Sequence, residues 1–195
     1  KLSSDSNFFV KVKKNKIKKY GVNSKINLDK FNYEIDQSKI KKYIPDFKGS
    51  IDFEDHEIEM SIKDDVFTVQ GEGHYLIATE PEKINYKITS NRKANFISFE
   101  TKVNIHESLL DVEFLNYRKK ENKDSTLFIE GNLSEKNIEF KKILLNDSKN
   151  NFLIKNLNLT KDFKINYINL ADLYFVNNNN QKNIIFLKRD KNDYL

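Results

Sequence analysis

The sequence predicts an all-β chain, an antiparallel meander forming an extended, curved and open β-groove with at most one short helix. Three observations carry this. Apolar residues recur at every second position through most of the chain, the period that places them on one face of a strand. Ile, Val, Tyr, Phe and Thr are plentiful and Ala is rare, a balance that suits a pleated surface better than a helical bundle. The 195 residues include 5 Gly and 2 Pro, so turns fall to Asn, Asp and Lys clusters.

The elements follow in order. Residues 1–50 read as a less regular β segment, with strands at 8–12 and 26–35 and one helical turn at 38–43, capped by Ser38 and ended by Pro45. Residues 51–195 read as a repeated antiparallel groove segment. Ile58, Met60 and Ile62 alternate with Glu57, Glu59 and Lys63. After a turn at 64–65 come Phe67, Val69, Gly71, Gly73, Tyr75 and Ile77. A Pro81 turn leads to Ile84, Tyr86 and Ile88, and a turn at 91–95 leads to Ile97, Phe99, Val103 and Ile105. Leu110, Val112 and Phe114 form the next apolar set, followed by a charged loop at 119–124. Beyond it stand Leu127, Ile129 and Leu133, then Ile138 and Phe140, then Phe152 and Ile154, then Phe163, Ile165 and Tyr167. An asparagine turn at 177–180 precedes a last strand at 184–187. This makes about ten strands at a spacing of roughly 10–14 residues. Short connections make neighbouring strands antiparallel.

Each strand carries large apolar residues on one side and Lys, Glu, Asn or Asp on the other. A second sheet would cover such a face in a sandwich. This chain offers no long amphipathic helix to cover it either. The remaining choices are a sheet folded over itself or a groove that holds a lipid. The chain starts at Lys1 without Met and Tyr194-Leu195 reads as strand, so we expect a fragment of a longer protein. No run approaches the ~18 apolar residues of a membrane-spanning helix.

Composition narrows the chemistry. There is no Cys, which excludes a disulfide framework and thiolate metal sites. The net charge of +5 rests on Lys, with Arg at positions 92, 118 and 189 alone. Readers of nucleic acid use Arg forks on phosphates and guanine, so a nucleic-acid partner is not expected. The run Lys11, Lys13, Lys14, Lys16, Lys18 and Lys19 reads as a solvated strand edge, where Lys also discourages aggregation. His56, His74 and His106 lack metal-ligand spacing and read as solvated, with Asp55-His56 in a turn. Gly71 and Gly73 share a strand phase without a third glycine or a following helix, so they mark a bulge, a bend or a close approach and not a dinucleotide site. The acidic residues lie in turns and on the wet face. No catalytic residue, metal or cofactor is assigned, and the chain is expected not to be an enzyme.

The run Phe67-Thr68-Val69-Gln70-Gly71-Glu72-Gly73 through Pro81-Glu82-Lys83-Ile84-Asn85-Tyr86 resembles a recurring phrase of the AsmA-like superfamily. The segments Leu115-Asn116-Tyr117, Gly131-Asn132-Leu133 and Asn156-Leu157-Asn158-Leu159 are similar to its YhdP- and TamB-like members. The resemblance spans residues 45–195, while the Lys- and Asn-rich composition departs from typical members. It implies a periplasmic segment of a Gram-negative protein anchored in the inner membrane. Its apolar groove would pass phospholipid, or another acyl-chain lipid, towards the outer membrane, with no catalytic residues. The groove lining would be the apolar residues named above from Ile58 to Phe140, other than Leu133 and the glycines. Two alternatives stand beside it: a closed β-sandwich spacer or interaction module without a lipid, and a basic nucleic-acid-binding barrel.

Overall fold

The computed structural model describes residues 1–93, 95–190 and 193–194. Strands take 71% of the chain and helix 3%, so among the described residues no helix is long enough to cover a sheet face. The strands are β1 (Leu2–Lys13), β2 (Lys16–Glu34), β3 (Ser50–Lys63), β4 (Val66–Leu76), β5 (Glu82–Asn91), β6 (Phe96–Asn104), β7 (Leu110–Val112), β8 (Tyr117–Lys119), β9 (Ser125–Ser134), β10 (Asn137–Asp147), β11 (Asn151–Thr160), β12 (Ile165–Val176), β13 (Lys182–Asp190) and β14 (Asp193–Tyr194). Eleven of them pair antiparallel as an open meander in the order β1-β2-β3-β4-β5-β6-β9-β10-β11-β12-β13, not closed into a barrel. The two-residue β14 extends the far edge, while β7 and β8 form a separate small ribbon. The predicted fold class is therefore the observed one.

Several local expectations are corrected. The first fifty residues are not less regular, because β1 and β2 run 12 and 19 residues. Serines at inward positions, Ser4, Ser6 and Ser24, hide the alternation there. The helical turn is α1 (Gln37–Ile40), and its cap is Asp36, whose carboxylate accepts from the Ser38 backbone N–H at 3.0 Å and from the Ser38 hydroxyl at 2.8 Å. The expected strand through Leu110, Val112 and Phe114 stops after β7 and becomes a 3₁₀ turn, Glu113–Leu115. Asp55-His56 is not a turn between strands. It is a bulge inside β3, with Asp55 at φ 53 and a register shift against β4 between Glu54 and Glu57. The extra residue changes the strand's phase, so Phe53 and His56 share a face although three positions apart. Phe163 lies in a turn at φ 60, and β12 begins after it.

The buried core lies at one end of the strands. Tyr117, from the excursion between β6 and β9, inserts among Ile105, Leu145, Phe152, Leu173 and Phe175. Its ring stands 4.7 Å from that of Phe152 and 6.0 Å from that of Phe175. A second excursion, between β2 and β3, meets the first where the Asp111 N–H donates to the Tyr43 carbonyl at 2.7 Å. Its Phe47 is 1% exposed. Together the two excursions cap one end of the sheet's apolar face.

Candidate functional site

The candidate site is that apolar face. Antiparallel register aligns directly opposed residues into rows that cross the strands. One row runs Phe8, Val22, Ile62, Phe67, Ser90, Ile97, Leu133, Ile138 and Leu159. The next holds Met60, Val69, Ile88, Phe99, Gly131, Phe140 and Leu157. A third holds Ile58, Gly71, Tyr86, Thr101, Ile129, Ile143 and Ile154. A fourth, nearer the cap, holds Ile84, Val103, Leu127, Leu145, Phe152 and Leu173. The Phe140–Ile143 step keeps both on this face because a bulge at Lys141 absorbs the odd residue.

Most expected lining residues thus lie on one surface. Tyr75 and Ile105 sit at its capped end and are buried. Leu110 and Val112 pack on the core from the cap itself and not from the sheet. Ile77 falls beyond the end of β4. Phe114 lies in the 3₁₀ turn and is 82% exposed, away from the rows.

Away from the cap the face is open. Ile58, Met60, Ile62, Phe67, Val69, Tyr86 and Phe99 are only partly buried, and Ile88 and Ile97 are 41% and 37% exposed. Their exposure follows from topology. The strands contact their sheet neighbours, and among the described residues the sole second layer is the small cap. The opposite face is polar: the Gln70 side-chain amide donates to Glu59 and that of Asn85 to Glu72, both at 2.9 Å.

Three glycines make room for rings lying flat along this surface. A Cβ on Gly71 would meet the Tyr86 hydroxyl at 2.7 Å, one on Gly73 the His56 ring at 2.5 Å, and one on Gly131 the Phe99 ring at 2.6 Å. The expected close approach at Gly71 and Gly73 is therefore present. Phe99 in turn meets Phe140 edge-on at 5.9 Å, across Gly131.

His56 overturns its expected solvated position, being 3% exposed. Its Nε2 lies 2.9 Å from the His74 carbonyl, which can only accept, so Nε2 carries a proton. In the neutral ring Nδ1 then accepts from the Tyr86 hydroxyl at 3.2 Å. Burial pushes the Tyr86 phenol up, which keeps it a donor. His74 is half-buried on the other phase. His106 is partly exposed between Asp124, at 2.7 Å, and Glu107, at 3.2 Å.

The cap holds a charged knot that sequence reading missed. Lys119 is fully buried, and its Nζ donates to the carbonyls of His106, Ser108 and Lys120 at 2.8, 2.8 and 3.1 Å. Burial pushes this ammonium down, against the pull of Glu82. Glu82, 5% exposed, accepts from the Ser108 N–H at 3.1 Å, the Ser108 hydroxyl at 2.9 Å and the His106 N–H. Asp147 accepts from the Tyr117 hydroxyl and Lys123, both at 3.0 Å. Nothing in the 117–119 sequence marks these groups as buried, since a Lys beside Arg118 and Lys120 reads as solvent-facing.

The surface is mostly apolar, with Ser24, Ser90, Thr101 and the His56–Tyr86 pair as polar positions within it. Among the described residues no cluster of His, Cys, Asp or Glu could hold a metal. Comparison with family models, curated proteins and solved structures finds no match to the chain.

Proposed function

We propose that this chain is a segment of an AsmA-like periplasmic protein, anchored in the inner membrane through its parent chain, whose β-groove carries phospholipid between the inner and outer membranes. The observation that supports this reading is the half-exposed apolar face running across the sheet without a covering layer. Eleven strands at ~4.8 Å give a track about 50 Å long. Burying an acyl chain gains about 0.8 kcal/mol per CH₂ without directional bonding, so such a track needs no specific polar contacts. The alternative, a spacer without lipid, calls for a cover that the described residues supply only at the cap.

The test compares Phe99→Asp with Glu100→Lys by photocrosslinking of lipid. Phe99 is half-buried in the central row, and a carboxylate there must be desolvated as a chain slides past, at a cost of several kcal/mol. Glu100 is exposed on the other face, and its replacement changes stability by under about 0.5 kcal/mol. We expect folded Phe99→Asp protein to lose crosslinking and Glu100→Lys to keep it. Undiminished crosslinking in Phe99→Asp would remove the central row from any lipid path.

A further inference from the structure

The β1–β2 hairpin outruns the rest of the sheet. β3 ends at Lys63 opposite Gly21, and the following turn reaches no further than Tyr20, whose carbonyl accepts from the Asp64 N–H at 3.1 Å. Residues 11–19 therefore form a two-stranded ribbon that projects alone, about 15 Å at 3.3 Å per residue. A two-residue loop closes it, with Lys14 at φ 51 and Asn15 at φ 56, the left-handed pair that matches strand twist. Every residue of the ribbon is exposed.

Its two faces are sorted by chemistry. Lys11 opposes Lys19 and Lys13 opposes Lys16 on one face, while Val10 opposes Tyr20 and Val12 opposes Ile17 on the other. Val12 and Ile17 are 60% and 66% exposed. No acidic residue occurs between Asp5 and Asp29. Among the described residues none of the six lysines at positions 11–19 forms a salt bridge. Like charges directly opposed across a strand pair destabilise it, and an isolated two-stranded ribbon is marginal in water. An anion bound along the lysine face and a non-aqueous environment for the tip would relieve both.

We propose that this hairpin docks the protein on an anionic phospholipid bilayer. Val12 and Ile17 would enter the interface, and the lysine stems would reach back to lipid phosphates, as long basic side chains do at membrane surfaces. Charge complementarity selects the anionic surface. The projecting residues 11–19 carry Val12 and Ile17 but no aromatic ring, which favours a bilayer over single-stranded nucleic acid, since the latter stacks on aromatic platforms. This proposal does not rest on lipid occupying the groove.

The test is co-sedimentation of the chain with vesicles of phosphatidylcholine alone or with added phosphatidylglycerol. The variants are K11Q/K13Q/K16Q/K19Q, V12D/I17D, and a control, K83Q/K87Q/K102Q/K155Q, which removes the same charge from exposed lysines elsewhere on the sheet. Each lysine near such a surface contributes about fivefold in partitioning, so the hairpin variant should bind at least about tenfold more weakly. V12D/I17D should also weaken binding, and the control should retain it. Equal binding to both vesicle types, or equal loss in hairpin variant and control, would overturn the proposal. So would a hairpin variant that keeps its vesicles but loses a single-stranded oligonucleotide. Groove photocrosslinking at Phe99 is read separately and need not change.

Discussion

At Gly131 the apolar surface leaves no room for even one carbon. A Cβ there would lie 2.3 Å from the Glu139 carbonyl oxygen, which belongs to backbone and cannot swing away, as well as 2.6 Å from the Phe99 ring. At Gly73 the three nearest atoms all belong to the His56 ring, not to backbone. Gly131→Ala should therefore cost about 1–3 kcal/mol, the range for overpacking, and more than Gly73→Ala; urea unfolding midpoints would show it, and equal midpoints would refute the backbone argument. The same residues show what could be read without coordinates. Alternation placed Met60, Val69 and Phe99 on one face because nothing interrupts the period there. His56 was misread because the Asp55 bulge shifts the phase by one, and an Asp-His pair looks the same in a bulge as in a turn.

Among the elements, the long strands were legible and the excursions were not. Strands repeat one simple rule, whereas the cap depends on contacts distant in sequence, such as Tyr117 on Phe152 and Phe175. Its polar anchor makes the cap sensitive to acid. Burial pushes the Asp147 carboxyl up, but bonds from the Asn150 side chain, the Lys149 N–H, Lys123 and Tyr117 outweigh that and hold it below its ordinary 3.8. The folded protein thus keeps the carboxylate ionised to lower pH than the unfolded chain does. Its contribution is complete above 3.8 and fades as pH falls through the depressed value. Asp147→Asn should cost about 1–3 kcal/mol at neutral pH, and the gap to the parent chain should close in acid. A gap that stays constant below pH 3.8 would remove Asp147 as the source.

Over the whole molecule, stability should be graded. In a meander each strand depends on its nearest neighbours, as repeats do in a solenoid. β9 to β12 rest on the capped core, whereas β1 is exposed along its full length. Amide exchange should be slowest in β10, β11 and β12 and fastest in β1 and the hairpin tip, spanning local to global opening. Uniform protection from β1 to β13 would show a single cooperative unit instead.

The order of the strands has a further consequence, for how such a protein can change in length over time. Apart from the step from β6 to β9, every strand lies beside its successor in the chain. Loss or gain of one strand would send all later strands in the opposite direction, carrying the cap from one margin of the sheet to the other. Loss or gain of a hairpin leaves direction, margin and facing unchanged. Lineages of this architecture should therefore differ by even numbers of strands, each step moving the ends apart by about 10 Å, two strand spacings, with the surviving rows of side chains still in line.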